Sequence, residues 1–254
     1  MENNSPMTIA SFHLVHYRHP TLAPPKRLER SVAGVRFWRP LNVGGDFHNF
    51  RTNPSRWALY QKLKPDFWRW AFFAIWESED ALARFMERSL VARGWSDAAR
   101  EALHLWLKPT RTRGIWSAIR ALEGTERRGL PKTPAAFITR LDLSIRGTLT
   151  MWLTAAPGIL AHVPDRDALK LAIPLVDRPY AQPMTFTIWT SLDRALAFAY
   201  RDGAHSKAVE RMERTTPGLS EEGFSSAGFY PYRSIGSWEG HDPLSEASAA
   251  AVVT

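Results

Sequence analysis

The sequence predicts an α+β fold of two ferredoxin-like (β-α-β-β-α-β) halves, joined as a pseudo-dimeric barrel or sandwich. Three observations predict it. Phe73-Ala-Ile-Trp-Glu-Ser-Glu-Asp returns as Phe186-Thr-Ile-Trp-Thr-Ser-Leu-Asp, at a constant offset of 186 − 73 = 113 residues, and Phe85 returns as Phe198. In both copies an apolar run ends at a serine, Ser78 or Ser191, placed as a helix N-cap. Each half also steps from strand to strand with no helix between, which argues against one mixed α/β sheet. Two such units lead to an expectation of two antiparallel sheets packed face to face, with helices outside.

The elements follow from periodicity. Met7–Tyr17 is rich in Ile, Phe, Leu and Val and reads as a strand. Pro24-Pro25 opens a short helix over Lys26–Ser31. Val35–Val43 is a strand broken by Gly44-Gly45, and Asp46–Lys64 reads as a loop. Phe67–Trp76 is an aromatic strand. Helices are expected over Ala81–Val91 and Asp97–Ala102, and a strand over Leu103–Leu107. Gly114, Gly124, Gly129, Pro131 and Pro134 mark a connector, so the halves are placed at 1–110 and 135–254, joined by 111–134. The second half repeats the order: strand Ala135–Ile145, helix Gly147–Ala161, strands Ala168–Ile173 and Pro183–Trp189, helices Leu192–Tyr200 and His205–Arg214, strand Ser226–Tyr232. Ser234–Thr254 is expected to be a loose tail.

With 254 residues and 44% hydrophobic content, the chain has ample core. It has no cysteine, which excludes disulfides, thiolate zinc sites, thiolate-ligated haem and cysteine nucleophiles. No apolar run reaches the roughly 20 residues of a membrane span, and the start has neither a basic segment nor an apolar one, so the expectation is a cytoplasmic protein without an integral membrane segment. The net charge is +8, but the basic residues are scattered, so no nucleic-acid partner is expected. Peripheral membrane contact and homo-oligomers stay open. Eleven tryptophans suit either a large apolar pocket or dense core packing.

The chemistry-bearing candidates are few. His13 and His16 lie three apart on a strand and so face opposite ways. His205 begins a helical segment that follows the second copy of the repeat only. Its neighbours three and four residues on, Ala208 and Val209, would let a flat cofactor lie against that face. On base rates alone a surface or N-cap histidine is the favoured reading. Arg140 sits in an apolar strand with Ile138 and Asp142 on its own face. It either reaches into a pocket, faces solvent or pairs with Asp142. Arg113 lies in Arg113-Gly-Ile-Trp116. No phosphate loop, Ser-His-Asp order or nucleophile elbow is present.

Several of these segments together resemble the spheroidene monooxygenase family: Thr139-Arg140, Gln182-Pro-Met-Thr-Phe-Thr-Ile-Trp189, Phe198-Ala-Tyr-Arg201 with His205, and Arg233-Ser-Ile-Gly-Ser-Trp-Glu-Gly240-His-Asp-Pro-Leu244. Phe37-Trp38 before Gly44-Gly45, and Arg113-Gly-Ile-Trp116, belong to the same set. The likeness runs over about residues 7 to 244. It implies a non-covalently bound haem b and oxygen insertion into an acyclic carotenoid or another apolar secondary metabolite. It also implies His205 as the axial iron ligand. If the protein is an oxygenase, a separate electron donor is expected, because no flavin- or nicotinamide-binding motif is present. Arg140 is then the first choice for a distal or propionate-binding catalytic group, with Arg113 second. Arg201 is a further cofactor contact, and Phe186, Trp189 and Phe198 are apolar walls. The chain departs from the family at Ile173-Pro-Leu-Val-Asp-Arg-Pro179 and Gly218–Gly228, which touches the pocket rim. Two alternatives stay open. One is a haem enzyme of non-oxygenase type, dehydrating or rearranging an N-oxygenated substrate. The other is a haem-free ligand-binding protein of the same fold.

Overall fold

A computed structural model describes residues 7–21, 32–44, 66–125, 131–154, 167–178, 181–201, 203, 207, 210 and 223–245. Eight strands form one closed, wholly antiparallel barrel: β1 (Ile9–Tyr17), β2 (Val35–Val43), β3 (Arg69–Trp76), β4 (Ala99–Arg113), β5 (Ala135–Leu141), β6 (Leu169–Arg178), β7 (Ala181–Trp189) and β8 (Phe224–Gly236). Around the barrel the order is β1-β3-β2-β6-β7-β5-β8-β4, with β4 returning to β1. Of the two expected arrangements, barrel and face-to-face sandwich, the chain forms the barrel, and the expectation of two separate sheets is corrected. Each sheet would leave two unpaired edges. Pairing β2 with β6 and β4 with β8 removes all four.

The helices are α1 (Glu79–Arg88), α2 (Leu90–Ala98), α3 (Ser117–Leu122), α4 (Ile145–Thr154) and α5 (Leu192–Leu196), which runs into a π-helical turn, Ala197–Arg201. Both repeat serines cap as expected: Ser78 Oγ accepts the Ala81 N–H and Ser191 Oγ accepts the Arg194 N–H. Ser89 splits the expected Ala81–Val91 helix. Its N–H bonds Phe85 O to close α1, while its hydroxyl accepts the Val91 N–H to open α2. The expected helix Asp97–Ala102 is the end of α2 and the start of β4. That strand runs on past Pro109, where a register shift absorbs the missing N–H. The expected connector therefore begins inside β4 and contains α3. The expected helix Lys26–Ser31 and loop Asp46–Lys64 lie outside the described residues. Of His205–Arg214, Lys207 and Glu210 are described, both helical and exposed.

Alternation sorts the side chains. Phe12, Leu14, Phe73, Ile75, Leu105, Ile138, Ile173, Phe186, Ile188 and Phe229 fill the barrel interior, where the Phe12 and Phe186 rings stack with centroids 3.7 Å apart. Helix α3 contributes Trp116, Ala118, Ile119 and Leu122 to this core. A second core lies outside the barrel, between the first-half sheet and α1–α2. There Trp38, Phe72, Trp76, Phe85, Trp95 and Trp106 pack together.

The tail is ordered as far as Ser245 and is not loose there. Residues 234–236 end β8, and Trp238 and Leu244 bury into the interior core. The Glu101 carboxylate holds the strap, accepting the Ser237 hydroxyl at 2.8 Å and the Glu239 and Gly240 N–H groups at 3.0 and 2.8 Å.

Candidate functional site

The strand registers let the two halves be superposed position by position. Trp76 faces Ile9, and its repeat equivalent Trp189 faces Ala135. In the same way His13 corresponds to Thr139, Phe72 to Thr185 and Ala74 to Thr187. From the outer strands, His104 corresponds to Ser226, Trp106 to Gly228 and Trp38 to Ala172.

The first half is thus faced, on its outer side, by His13, His104, Trp106, Phe72 and Trp38, all buried beneath α1 and α2. At the same five positions the second half has Thr139, Ser226, Gly228, Thr185 and Ala172. These exchanges put small residues where the first half has three aromatics and two imidazoles, while Ser11 is matched by Phe137, whose ring lies against Gly228. Thr139, Thr185, Thr187 and Ser226 remain half-buried, and among the described residues no hydrophobic cluster covers them. This outer face, called the slot below, carries smaller side chains than its first-half counterpart between the apolar flanks Trp189 and Phe198, a lining that suits a flat, largely apolar group.

Trp189 and Phe198 flank the slot. Their rings lie 5.1 Å apart, and the Trp189 indole N–H donates to Thr187 Oγ1 at 3.0 Å. Phe198 is carried on the π-helical turn, a distortion frequent at functional sites. Arg201, the last residue of that turn, is exposed. Phe224 lies on the slot's face beside Leu141, and the Arg113 guanidinium stands 5.7 Å over its ring. Arg113 therefore puts a cation at this rim. His205 lies outside the described residues.

Two expected site residues are on the other side of the sheet. Phe186 is fully buried in the barrel interior against Phe12, so it cannot wall the slot. Arg140 alternates with Thr139 and points inward with Ile138, at the position Leu14 holds in the first half. Its Nη2 donates to Asp142 Oδ2 at 3.2 Å, and Gln182 Nε2 donates to Asp142 Oδ1 at 2.8 Å. The Arg140–Asp142 pair expected as one alternative is present. Gln182 is held at φ +55, in the left-handed region that costs a non-glycine residue energy, and its Oε1 and Arg140 Nε are buried without partners. No single ligand on either face touches both Arg140 and Trp189.

Sequence reasoning missed the hydroxyl side chains of the slot and the buried His13–His104 pair. The signal for the former was available: aligning the repeat shows Phe72-Phe-Ala74 replaced by Thr185-Phe-Thr187.

Fold and site together define an antiparallel α+β barrel whose first-half outer face carries an aromatic core and whose second-half outer face carries a row of hydroxyl side chains. The chain is similar to spheroidene monooxygenases: it is 28% identical over 193 residues to that of Cereibacter sphaeroides (74% of this chain, 56% of the relative). The corresponding protein of Rhodobacter capsulatus is 29% identical over 182 residues, 71% of this chain and 74% of its own length. The resemblance read from the motifs is therefore real, although the match spans little more than half of the C. sphaeroides protein. No protein-family model matches the chain. Among solved structures, aldoxime dehydratase OxdRE in complex with butyraldoxime shares the fold, with a TM-score of 0.50 at 10% identity over 91% of this chain and 81% of that one.

Proposed function

We propose that this chain is a haem-dependent, monooxygenase-like enzyme that oxidises an apolar, carotenoid-like or related secondary metabolite, with haem b in the outer slot of the second half. The observation that carries the reading is the replacement of Trp106, Phe72, Trp38, His13 and His104 by Gly228, Thr185, Ala172, Thr139 and Ser226 at matched register positions. Among the described residues the second half has no counterpart of the first half's outer aromatic core, and its matched positions carry small and hydroxyl side chains that leave room for a bound group. The similarity to spheroidene monooxygenases supports the kind of chemistry. The strand orders β4-β1-β3-β2 and β8-β5-β7-β6 support reading the halves as duplicated ferredoxin-like units.

In this reading His205 would hold the haem iron, Trp189 and Phe198 would line the cofactor, and Arg113 and Arg201 would offer the positive charges that two propionates require. Haem, when bound, supplies an iron that activates oxygen. The chain's own work is to hold the cofactor, exclude water along the Trp189–Phe198 side and orient the substrate. Arg140 has a structural part, tying the ends of β5 and β7 together through Asp142. Electrons come from a separate protein.

The test is the absorption spectrum of protein expressed with adequate haem. A Soret band is expected. It should be lost or altered in His205→Ala while the far-UV circular dichroism is kept. A haem-free protein, or an unchanged five-coordinate histidine spectrum in that variant, overturns the reading. Turnover without dioxygen would exclude the oxygenase.

A further inference from the structure

Across the slot runs a row of three hydroxyl residues on adjacent strands. Thr139 on β5 is directly opposite Ser226 on β8 and Thr185 on β7. Directly opposed residues on one face have Cβ atoms about 4.5–5.5 Å apart, so the three hydroxyls form a continuous strip. All three are half-buried, and none has a side-chain hydrogen bond among the described residues. Thr187, in the next row, already accepts the Trp189 indole N–H. The matched positions of the first half are filled very differently: His104, His13 and Phe72 are buried, and both histidines are hydrogen-bonded. The two rows of the slot, Ser226–Thr139–Thr185–Pro174 and Gly228–Phe137–Thr187–Ala172, contain no charged side chain.

A hydroxyl can donate one hydrogen bond and reorient to do so. Half-buried and without partners, three in a strip offer donors to whatever lies against them, at no desolvation cost from charge. We propose that Ser226, Thr139 and Thr185 are the ligand-facing wall of the slot, placed to donate hydrogen bonds to a small molecule bound against the sheet. This rests on the haem reading above and adds the polarity of the wall. The histidine and the hydroxyl strip would then have separate tasks, one holding the cofactor and the other binding the molecule beside it.

The experiment is the infrared C–O stretch of the ferrous carbon monoxide complex. A donor aimed at the bound oxygen atom lowers that frequency. In the triple variant Thr139→Val, Thr185→Val, Ser226→Ala the band should move to higher frequency with the Soret band retained, and Thr139→Ser should keep the band of the unmodified protein. If the triple variant does not fold, the three single variants are read instead, each expected to give a smaller upward shift. A band that stays put in haem-loaded variants overturns the hydroxyl wall and leaves the haem reading intact. Absence of any Soret band in the unmodified protein overturns the haem reading itself.

Discussion

His13 and His104 face each other across β1 and β4 with their Nδ1 atoms 3.0 Å apart, buried beneath the Trp95 ring of α2. His13 Nε2 lies 2.8 Å from Ser11 Oγ, which also accepts the Trp76 indole N–H at 2.8 Å. One proton between the two Nδ1 atoms satisfies this arrangement, and a second would set two N–H groups head to head. Burial lowers both pKa values. His104 falls from 6.5 to about 4, and His13, burdened further by any charge on His104, falls well below its usual value. Because the unfolded chain takes up these protons first, stability is complete above about pH 6.5. It falls as pH drops from there through about 4, by on the order of 3 kcal/mol for His104 alone. Urea midpoints measured between pH 7.5 and 4.5 should decline over that window, and His13→Leu/His104→Phe should flatten the decline.

Trp95 joins the second core together: its ring meets Trp38, Phe72, Phe85 and both histidines. Trp95→Ala should cost about 3–5 kcal/mol in chemical denaturation.

Filling the slot should separate binding from folding. Thr185→Phe with Thr139→Leu puts bulk at two half-buried positions of this face. Circular dichroism should show a folded protein, and haem titration should show no Soret band.

The strap over the barrel end depends on one carboxylate. Burial raises the pKa of Glu101, but the Gly240 and Glu239 N–H groups and the Ser237 hydroxyl outweigh that and leave it lowered. Glu101→Ala should cost about 1–2 kcal/mol and expose the segment near Trp238 to limited proteolysis. Glu101→Gln should lose less.

Much of this architecture was legible. Val35–Val43 is a strand with the bounds that alternation predicts, and the shared Trp-x-Ser motif identified two capped helices from local chemistry alone. The choice between barrel and sandwich was not legible, because the ladders β2–β6 and β4–β8 join residues more than 100 positions apart and leave no local period. Pro109 read as a strand stop because a register shift that accommodates it is visible only against β8. Within one strand, alternation separated His13 from His16, but it says nothing of His104, 91 residues away. It did place Arg140 with Asp142. What it could not decide was which face of the sheet is the barrel interior, the side to which Arg140 and Phe186 turn.

The two joins between the halves are unequal. Among the described residues, β4 and β8 pair from Leu103↔Gly236 to Arg113↔Ser226, whereas β2 and β6 meet at Asn42↔Val176 and Val43↔Leu175, with Gly44 N–H on Pro174 O and Arg39 near Asp177. A ring with one long hinge and one short clasp breathes at the clasp. Local opening follows the weakest cooperative unit, so the halves should part first along β2–β6 while remaining attached through β4–β8. Thermal motion then opens the cylinder like a book, always from the same edge.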